Sequence, residues 1–179
     1  MVTAAMVSAA APGQSQAGER IDQYLAFELA GQYYGIDILR VQEIKGWEKP
    51  TRLPHSPDYV QGVINLRGAV VPIIDLRRRF GLADGDHGRT TVVIVVRVPA
   101  AGGEAHAELT AGLVVDAVCE VCSLASGELR PPPQAVDALD TTLVRGLAVA
   151  GERMLILLDV PRLMSSTLAE HGAAASHAA

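Results

Sequence analysis

Aromatic side chains are scarce in this chain. They make up 4% of the 179 residues, whereas hydrophobic residues of all kinds make up 49%. That hydrophobic share excludes a chain that is disordered throughout, and it requires a core built mainly from Val, Ile, Leu and Ala. Because β-branched residues favour strands, this composition predicts a β-rich fold.

Several other features are absent. No apolar run approaches the roughly 20 residues that span a bilayer, since Arg97 interrupts the longest candidate, Val92 to Val98. The net charge of −5 gives no basic face for nucleic acid. Two cysteines do not make a disulfide framework. The first basic residue is Arg20, so the start lacks the positive region of a signal peptide. We expect a cytoplasmic protein with no direct membrane insertion.

The two ends differ in composition from the middle of the chain. Residues 1–20 and 169–179 are rich in Ala, Ser and Gly and lack hydrophobic periodicity, so both are predicted to be disordered tails. Residues 21–168 then form the folded domain. Approximate subdomains are predicted at 22–86 and 87–166, with boundaries that can interleave.

Alternating hydrophobic residues mark the first strands. Residues 24–29 alternate, a Gly-containing turn follows, and residues 34–38 resume the alternation, which predicts a hairpin. The phase then breaks, so a bulge or bend is expected near Leu39 and Arg40.

A second hairpin is predicted after the proline-containing loop 46–58. Strands at 63–66 and 70–75 flank Arg67-Gly68, a natural turn. Asp75 is placed to cap a short helix that follows.

The second half repeats this order of features. Residues 35–44 resemble 112–121, and residues 70–80 resemble 154–164, with Asp75 matched to Asp159. Shared order over such distances indicates an internal repeat.

The repeat predicts the fold class. Arg145-Gly146 is matched to the Arg67-Gly68 turn, and each half holds about five short strands. The expectation is an all-β chain of two five-stranded β-barrel subdomains, packed on a shared core because neither half has much to bury alone, with short helices.

Candidate chemistry is limited. Cys119 and Cys122 form a CxxC pair, but no second pair of ligands has zinc-site spacing, so two small strand residues are the simpler interpretation. Asp37, Asp75, Asp116 and Asp159 lie among apolar residues, where paired carboxylates would be catalytic candidates. Each also fits a turn, cap or outward strand position. The run 77–79, three arginines, suits either a phosphate or a solvated helix face. We therefore predict no catalytic residue, no metal and no cofactor.

Two charged residues stand beside apolar stretches. Glu43 follows Val41 in the second strand region, and Arg67 follows Leu66. An ion pair between them would fix that strand against the Arg67-Gly68 turn. It would be either a surface salt bridge or a polar feature, framed by Val41, Ile44 and Leu66, that recognises a partner helix.

Five segments together resemble the CheW family of chemotaxis coupling proteins. They cover roughly residues 22–166 in the family's order: YYGIDILRVQEIKG, VQGVINLRGAVVPIIDLRRRF, GLVVDAVCEVCSL, LRPPP and ERMLILLDVPRL. The two cysteines, and the length of the loop from Pro99 to Glu108, depart from the family pattern.

This resemblance implies two SH3-like barrels and a non-enzymatic scaffold. The implied partners are the regulatory domain of a CheA-type histidine kinase and the cytoplasmic tip of a methyl-accepting chemoreceptor, so that the protein would be recruited to membrane-associated receptor arrays. The tip is a helical coiled coil that would lie in an apolar groove. Carried over by position, the groove residues are Val41, Ile44 and Lys45, the polar determinants are Glu43, Asn65 and Arg67, and Gly68 sets the turn.

Two alternatives stay open. A related adaptor could serve an array with another output, which the sequence does not separate from motility. An enzyme or metal protein on a duplicated barrel would be revealed by stoichiometric zinc bound through Cys119 and Cys122.

Overall fold

The structure is a computed structural model that describes residues 20–100, 108–132 and 141–167. Apart from residue 20, the predicted tails fall outside the described residues, as does most of the loop from Pro99 to Glu108. The described part contains ten strands: β1 (Ile21–Leu29), β2 (Gln32–Asp37), β3 (Val41–Gly46), β4 (Val60–Leu66), β5 (Ala69–Asp75), β6 (Val92–Pro99), β7 (Glu108–Val115), β8 (Ala117–Ala125), β9 (Val144–Ala150) and β10 (Arg153–Leu158). A short helix, α1 (Leu76–Arg79), follows β5, and residues 160–167 form a second helix, α2.

The strands form two five-stranded sheets. Sheet 1 has the order β8-β1-β2-β10-β9 and sheet 2 the order β3-β6-β7-β5-β4. Sheet 1 therefore takes β1 and β2 from the first half of the chain and β8, β9 and β10 from the second half. The spans 22–86 and 87–166 each contribute strands to both sheets, because the chain passes from sheet 1 to sheet 2 between β2 and β3.

Each sheet closes on itself. In sheet 2, Thr51 lies beyond edge strand β3 and bonds edge strand β4, donating to the Val63 carbonyl at 2.9 Å and accepting from the Val63 amide at 2.8 Å. In sheet 1, Arg130 lies beyond β8 and bonds Leu147 of β9 in the same way, at 2.8 and 2.7 Å. Both sheets thus become small barrels, barrel 1 and barrel 2.

One core lies between the barrels. Phe27 and Ile36 of sheet 1 pack with Ile94 and Leu113 of sheet 2 and with Leu163 of α2, and all five have no exposed surface. Two smaller clusters fill the barrels themselves. The predicted all-β fold of two five-stranded barrels on a shared core is confirmed.

Three of the seven aromatic residues stack on one another in this shared core. Both phenylalanines of the chain are buried there, and the Tyr34 ring stacks between Phe27 and Phe80 at 5.8 Å from each ring centroid. The prediction that aliphatic residues supply the remainder of the core agrees with its Ile, Leu and Val content.

Most of the predicted local features are present. The first hairpin turns at Ala30-Gly31, and the second at Arg67-Gly68. The expected bend is a 3-10 turn at Ile38–Arg40, which carries the chain from sheet 1 to sheet 2.

The match of Arg145-Gly146 to the Arg67-Gly68 turn is wrong. Both residues lie inside β9, and the β9–β10 turn is at Gly151-Glu152. Gly146 is instead the counterpart of Gly62, since each glycine lies in the strand that pairs with the crossing segment of Thr51 or Arg130.

An ion pair links the two halves of the repeat. Arg77 of α1 donates from Nε to Asp116 Oδ1 at 2.8 Å and from Nη2 to Asp116 Oδ2 at 2.5 Å. Asp116 also accepts from the Ala30 amide at 2.8 Å, so one carboxylate joins α1, the β1–β2 turn and the β7–β8 junction. Burial acts to raise the pKa of Asp116, but the hydrogen bonds from Arg77 and Ala30 outweigh it and the pKa is lowered.

We expect Asp116→Asn to lower the free energy of unfolding by about 1–2 kcal/mol at neutral pH. A carboxyl with a depressed pKa in the folded state stabilises the fold above its unfolded value of about 3.9, and that contribution is lost as pH falls. The difference between wild type and variant should therefore shrink between pH 6 and pH 3, measured by urea unfolding. Glu152→Gln, at the exposed β9–β10 turn, is the matched control. A gap that stays constant with pH would contradict the electrostatic explanation.

Candidate partner-binding site

The predicted ion pair between Glu43 and Arg67 is present and joins the two edge strands of barrel 2. Glu43 lies in β3, and Arg67 lies at the tip of the β4–β5 hairpin. The Glu43 side chain is 21% exposed and that of Arg67 is 74% exposed. The pair therefore sits at the barrel surface, where its guanidinium is available to a partner.

The turn that carries Arg67 has a backbone usually reserved for glycine or asparagine. Arg67 has φ of 51° and Gly68 has φ of 89°, as in the two-residue turns that match the twist of a hairpin. Asn65 Oδ1 accepts a hydrogen bond from the Gly68 amide at 2.8 Å and holds the turn. A left-handed conformation costs a residue with a Cβ about 1 kcal/mol, so this position keeps arginine against its backbone preference.

The other predicted groove residues divide between the two faces of β3. Lys45 lies opposite Val93, which faces the interior of barrel 2, and Ile44 lies opposite Ile94, which faces the shared core. Directly opposed residues on paired strands share a face. Ile44 therefore points away from the face that carries Glu43 and Lys45, and the structure does not bring all seven residues onto one surface.

An edge strand can still present both faces to a partner that runs along it. Val41 is half-buried against the shared core, whereas Ile44 is 45% exposed. Lys45 is paired with Glu48 at 2.6 Å. The result is an apolar side near the barrel junction and a charged side at the mouth of barrel 2.

Sequence reasoning missed Leu39 as a surface residue. It lies in the 3-10 turn between β2 and β3 and is 83% exposed. The broken alternation at this position was the available signal, because a crossing segment between sheets has no partner strand to cover it. Leu39 and Ile44 flank Val41 along the same chain segment.

Barrel 1 carries a second exposed apolar pair. Val149 of β9 lies opposite Met154 of β10, and their exposures are 58% and 61%. Neither residue was singled out from the sequence. Opposed positions on adjacent strands were not recognisable before the register of the hairpin was known.

The cysteine pair shows no metal-binding arrangement. Cys119 and Cys122 both lie in β8, and burial raises the pKa of each thiol. Across residues 20–100, 108–132 and 141–167, no three His, Cys, Asp or Glu side chains are grouped to hold a metal ion.

The four aspartates considered as catalytic candidates accept hydrogen bonds from backbone amides. Asp37 accepts from Leu39, Asp75 from Arg77 and Arg78, and Asp159 from Arg162, each at the start of a helical turn. Asp116 accepts from Ala30. The interpretation of these residues as caps and turn-formers is supported.

The arginine run does not form a solvated face. Arg77 binds Asp116, Arg78 pairs with Asp84 at 3.1 Å, and Arg79 donates to Ser166 Oγ at 2.9 Å. These contacts anchor α1 to three other parts of the fold, which the sequence pattern alone did not show.

Exposed apolar residues and a charged pair on the surface of two interleaved barrels are features of a protein that binds other proteins. The family model of the CheW-like domain matches residues 23–168. The chemotaxis protein CheW of Klebsiella aerogenes is 44% identical over 151 residues, covering 84% of this chain and 86% of that protein. CheW of Bacillus subtilis is 30% identical over 138 residues, covering 77% and 83%.

A solved structure agrees with these sequence matches. The scaffolding protein TtCheW from Thermoanaerobacter tengcongensis superposes with a TM-score of 0.69 at 32% identity, covering 83% of this chain and 91% of that one. The chain belongs to the CheW family, and it is a chemotaxis adaptor rather than an enzyme. Among the helices in the described parts of the chain, none has the length and apolar character to cross a lipid bilayer.

Proposed function

We propose that this adaptor joins the cytoplasmic tip of a methyl-accepting chemoreceptor to the regulatory domain of a CheA-type histidine kinase. It acts in the cytoplasm and is recruited to membrane-associated receptor arrays. The observation that supports the receptor contact is the surface Glu43–Arg67 pair, with its exposed guanidinium, on the chain segment that also carries the exposed Leu39 and Ile44.

The receptor tip is a helical coiled coil, and its helix lies along edge strand β3. Apolar side chains of the helix meet Ile44 and Leu39, while polar ones meet Arg67 and Glu43. The proposed receptor-binding residues are Val41, Glu43, Ile44, Lys45, Asn65, Arg67 and Gly68.

An adaptor also needs a second surface. The Val149–Met154 pair lies on barrel 1, whereas the Glu43–Arg67 pair lies on barrel 2. We assign this apolar pair to the kinase contact. Separate surfaces on separate barrels allow both partners to bind at once.

Coupling follows from differential binding. The receptor shifts the kinase's active population only if the contacts through the adaptor differ between receptor states. Several modest contacts joined in an array gain strength because each holds the next at high effective concentration.

Capture from native lysate tests this function. The tagged protein should recover a methyl-accepting receptor and a CheA-type kinase together. Recovery of a receptor and kinase that control another output would assign the same adaptor role to a different array. Recovery of neither, from a lysate shown to contain both, would contradict the proposal.

Met154→Glu separates the two contacts. Because Met154 is 61% exposed, the charge is expected to leave the fold intact. It should weaken capture of the kinase about tenfold by placing a carboxylate in an apolar interface, and leave receptor capture unchanged. Met154→Leu is the matched control. Equal loss of both partners, or of neither, would remove this surface from the kinase contact.

A further inference from the structure

A cleft of about 470 Å³ lies in barrel 2 between the segment that follows β3 and the residues that follow α1. This volume is in the range of sites that hold organic ligands or peptide side chains. Its lining is mostly polar, and Trp47, Leu53 and Val60 add an apolar part to it. None of the seven proposed receptor-binding residues lines it.

The cleft concentrates positive charge in a chain whose net charge is −5. Lys49, Arg52 and Arg78 line it together with His87, and Asp58 is the one carboxylate among its described lining residues. Arg78 is already paired with Asp84. Lys49 and Arg52 both line the cleft and form no ion pair with any other residue in the described ranges, so both cations are available to an acidic ligand.

The walls are held in place before any ligand binds. The Trp47 ring stacks on His87 with 4.3 Å between centroids, and its Nε1 donates to Gln61 Oε1 at 3.4 Å. Gln61 in turn donates to Asp75 Oδ2 at 2.7 Å, which ties the cleft to the cap of α1. A preformed wall lowers the conformational entropy that a ligand must lose on binding.

We propose that this cleft binds an acidic peptide segment of a partner protein. An apolar side chain of the segment lies against Trp47 and Leu53, which is 40% exposed, and its carboxylates pair with Lys49 and Arg52. An inorganic anion would satisfy the cations and leave the apolar walls uncovered. The combination of both therefore favours a peptide over a small anion. The contact is separate from the receptor and kinase contacts proposed above.

Trp47 is the only tryptophan in the chain, so its fluorescence reports on this cleft directly. The probe is a blocked heptapeptide with four glutamates around a central leucine, titrated into the full chain at low salt. A saturable fluorescence change is expected. The double variant Lys49→Ala/Arg52→Ala should weaken binding about tenfold or more, and added salt should weaken wild-type binding.

Two controls make the titration decisive. Arg97→Ala/Arg145→Ala removes the same number of positive charges from residues that do not line the cleft, and should bind within about twofold of wild type. The same peptide with glutamines in place of glutamates should bind about tenfold more weakly. No saturable change, equal binding by both double variants, or competition by pyrophosphate as strong as the peptide itself would overturn the proposal; the last would indicate a small-anion site.

Discussion

Gly62→Ala is expected to lower the free energy of unfolding by about 4 kcal/mol, enough to unfold a marginal domain. A Cβ at this position would lie 2.1 Å from the Thr51 carbonyl oxygen and 2.7 Å from the Thr51 carbonyl carbon. Both are backbone atoms, so no side-chain rotation relieves the contact.

The clash falls where barrel 2 closes. Thr51 and Val63 exchange two backbone hydrogen bonds, and Gly62 precedes Val63 in β4. Moving Thr51 away would break this pairing and open the barrel between β3 and β4. Gly62 also has φ of 141°, which disfavours any residue with a Cβ.

Variants at two other glycines separate the effect of the clash from the effect of the positive φ. Gly31→Ala tests a positive φ alone, because nothing lies within 4 Å of its Cβ position, and should cost about 1 kcal/mol. Gly146→Ala meets the Arg130 carbonyl oxygen at 2.8 Å without a positive φ, and should fall between the two. Chemical denaturation followed by circular dichroism gives the order. If Gly62→Ala is no worse than Gly31→Ala, the barrel does not close through Thr51 as described.

The Gly62–Gly146 relation shows what local sequence identity conceals. The repeated Arg-Gly dipeptide predicts that Arg145-Gly146 corresponds to the Arg67-Gly68 turn. The glycine is instead required by a chain that crosses at Arg130, which is distant in sequence. Only the strand pairing shows that Gly146 corresponds to Gly62 and not to Gly68.

The distribution of strands from each half of the chain over both sheets was also not predictable from local sequence. Alternation predicted β1 and β2, and apolar runs on either side of the Arg67-Gly68 turn predicted β4 and β5, because both signals depend on neighbours along the chain. They do not say which strand lies beside which, so the sequence predicts only approximate subdomains at 22–86 and 87–166 whose boundaries can interleave. The broken phase at Leu39 was the one local sign of the crossing, and it was interpreted as a bulge or bend rather than as a change of sheet.

The candidate site was predictable only where it depends on residues that are neighbours along the chain. Glu43 and Arg67 stood out because charges beside apolar runs need a partner or exposure, and the ion pair is present. The opposite orientation of Ile44 depends on the pairing of β3 with β6. That pairing joins residues about 50 apart in the sequence, so the spacing of residues within β3 does not predict it.

Arg67→Gly should weaken receptor binding while leaving the fold as stable as wild type. The variant loses a surface ion pair, which contributes about 0–1 kcal/mol. It also removes the strain of a Cβ at φ of 51°, which is about 1 kcal/mol. The two effects nearly cancel in the free energy of unfolding, so a loss of binding cannot be attributed to unfolding.

A strained arginine that adds no net stability to the fold is expected where its side chain has a role in binding. Its exposed guanidinium offers a fork of donors that a lysine or a glycine lacks. We expect the dissociation constant for the receptor tip to rise about tenfold or more in Arg67→Gly and in Glu43→Gln.

The exchanged double variant Glu43→Arg/Arg67→Glu decides whether the pair itself or its orientation matters. It restores an ion pair across β3 and the β4–β5 turn, and should keep wild-type stability. It should still fail to bind the receptor if Arg67 contacts the receptor directly, because the guanidinium then lies on the other strand. Binding measured with the purified receptor cytoplasmic fragment, beside urea unfolding of each variant, gives both quantities. Recovery of full affinity in the exchanged variant would show that the pair only braces the barrel, and normal affinity in Arg67→Gly would remove Arg67 from the receptor contact altogether.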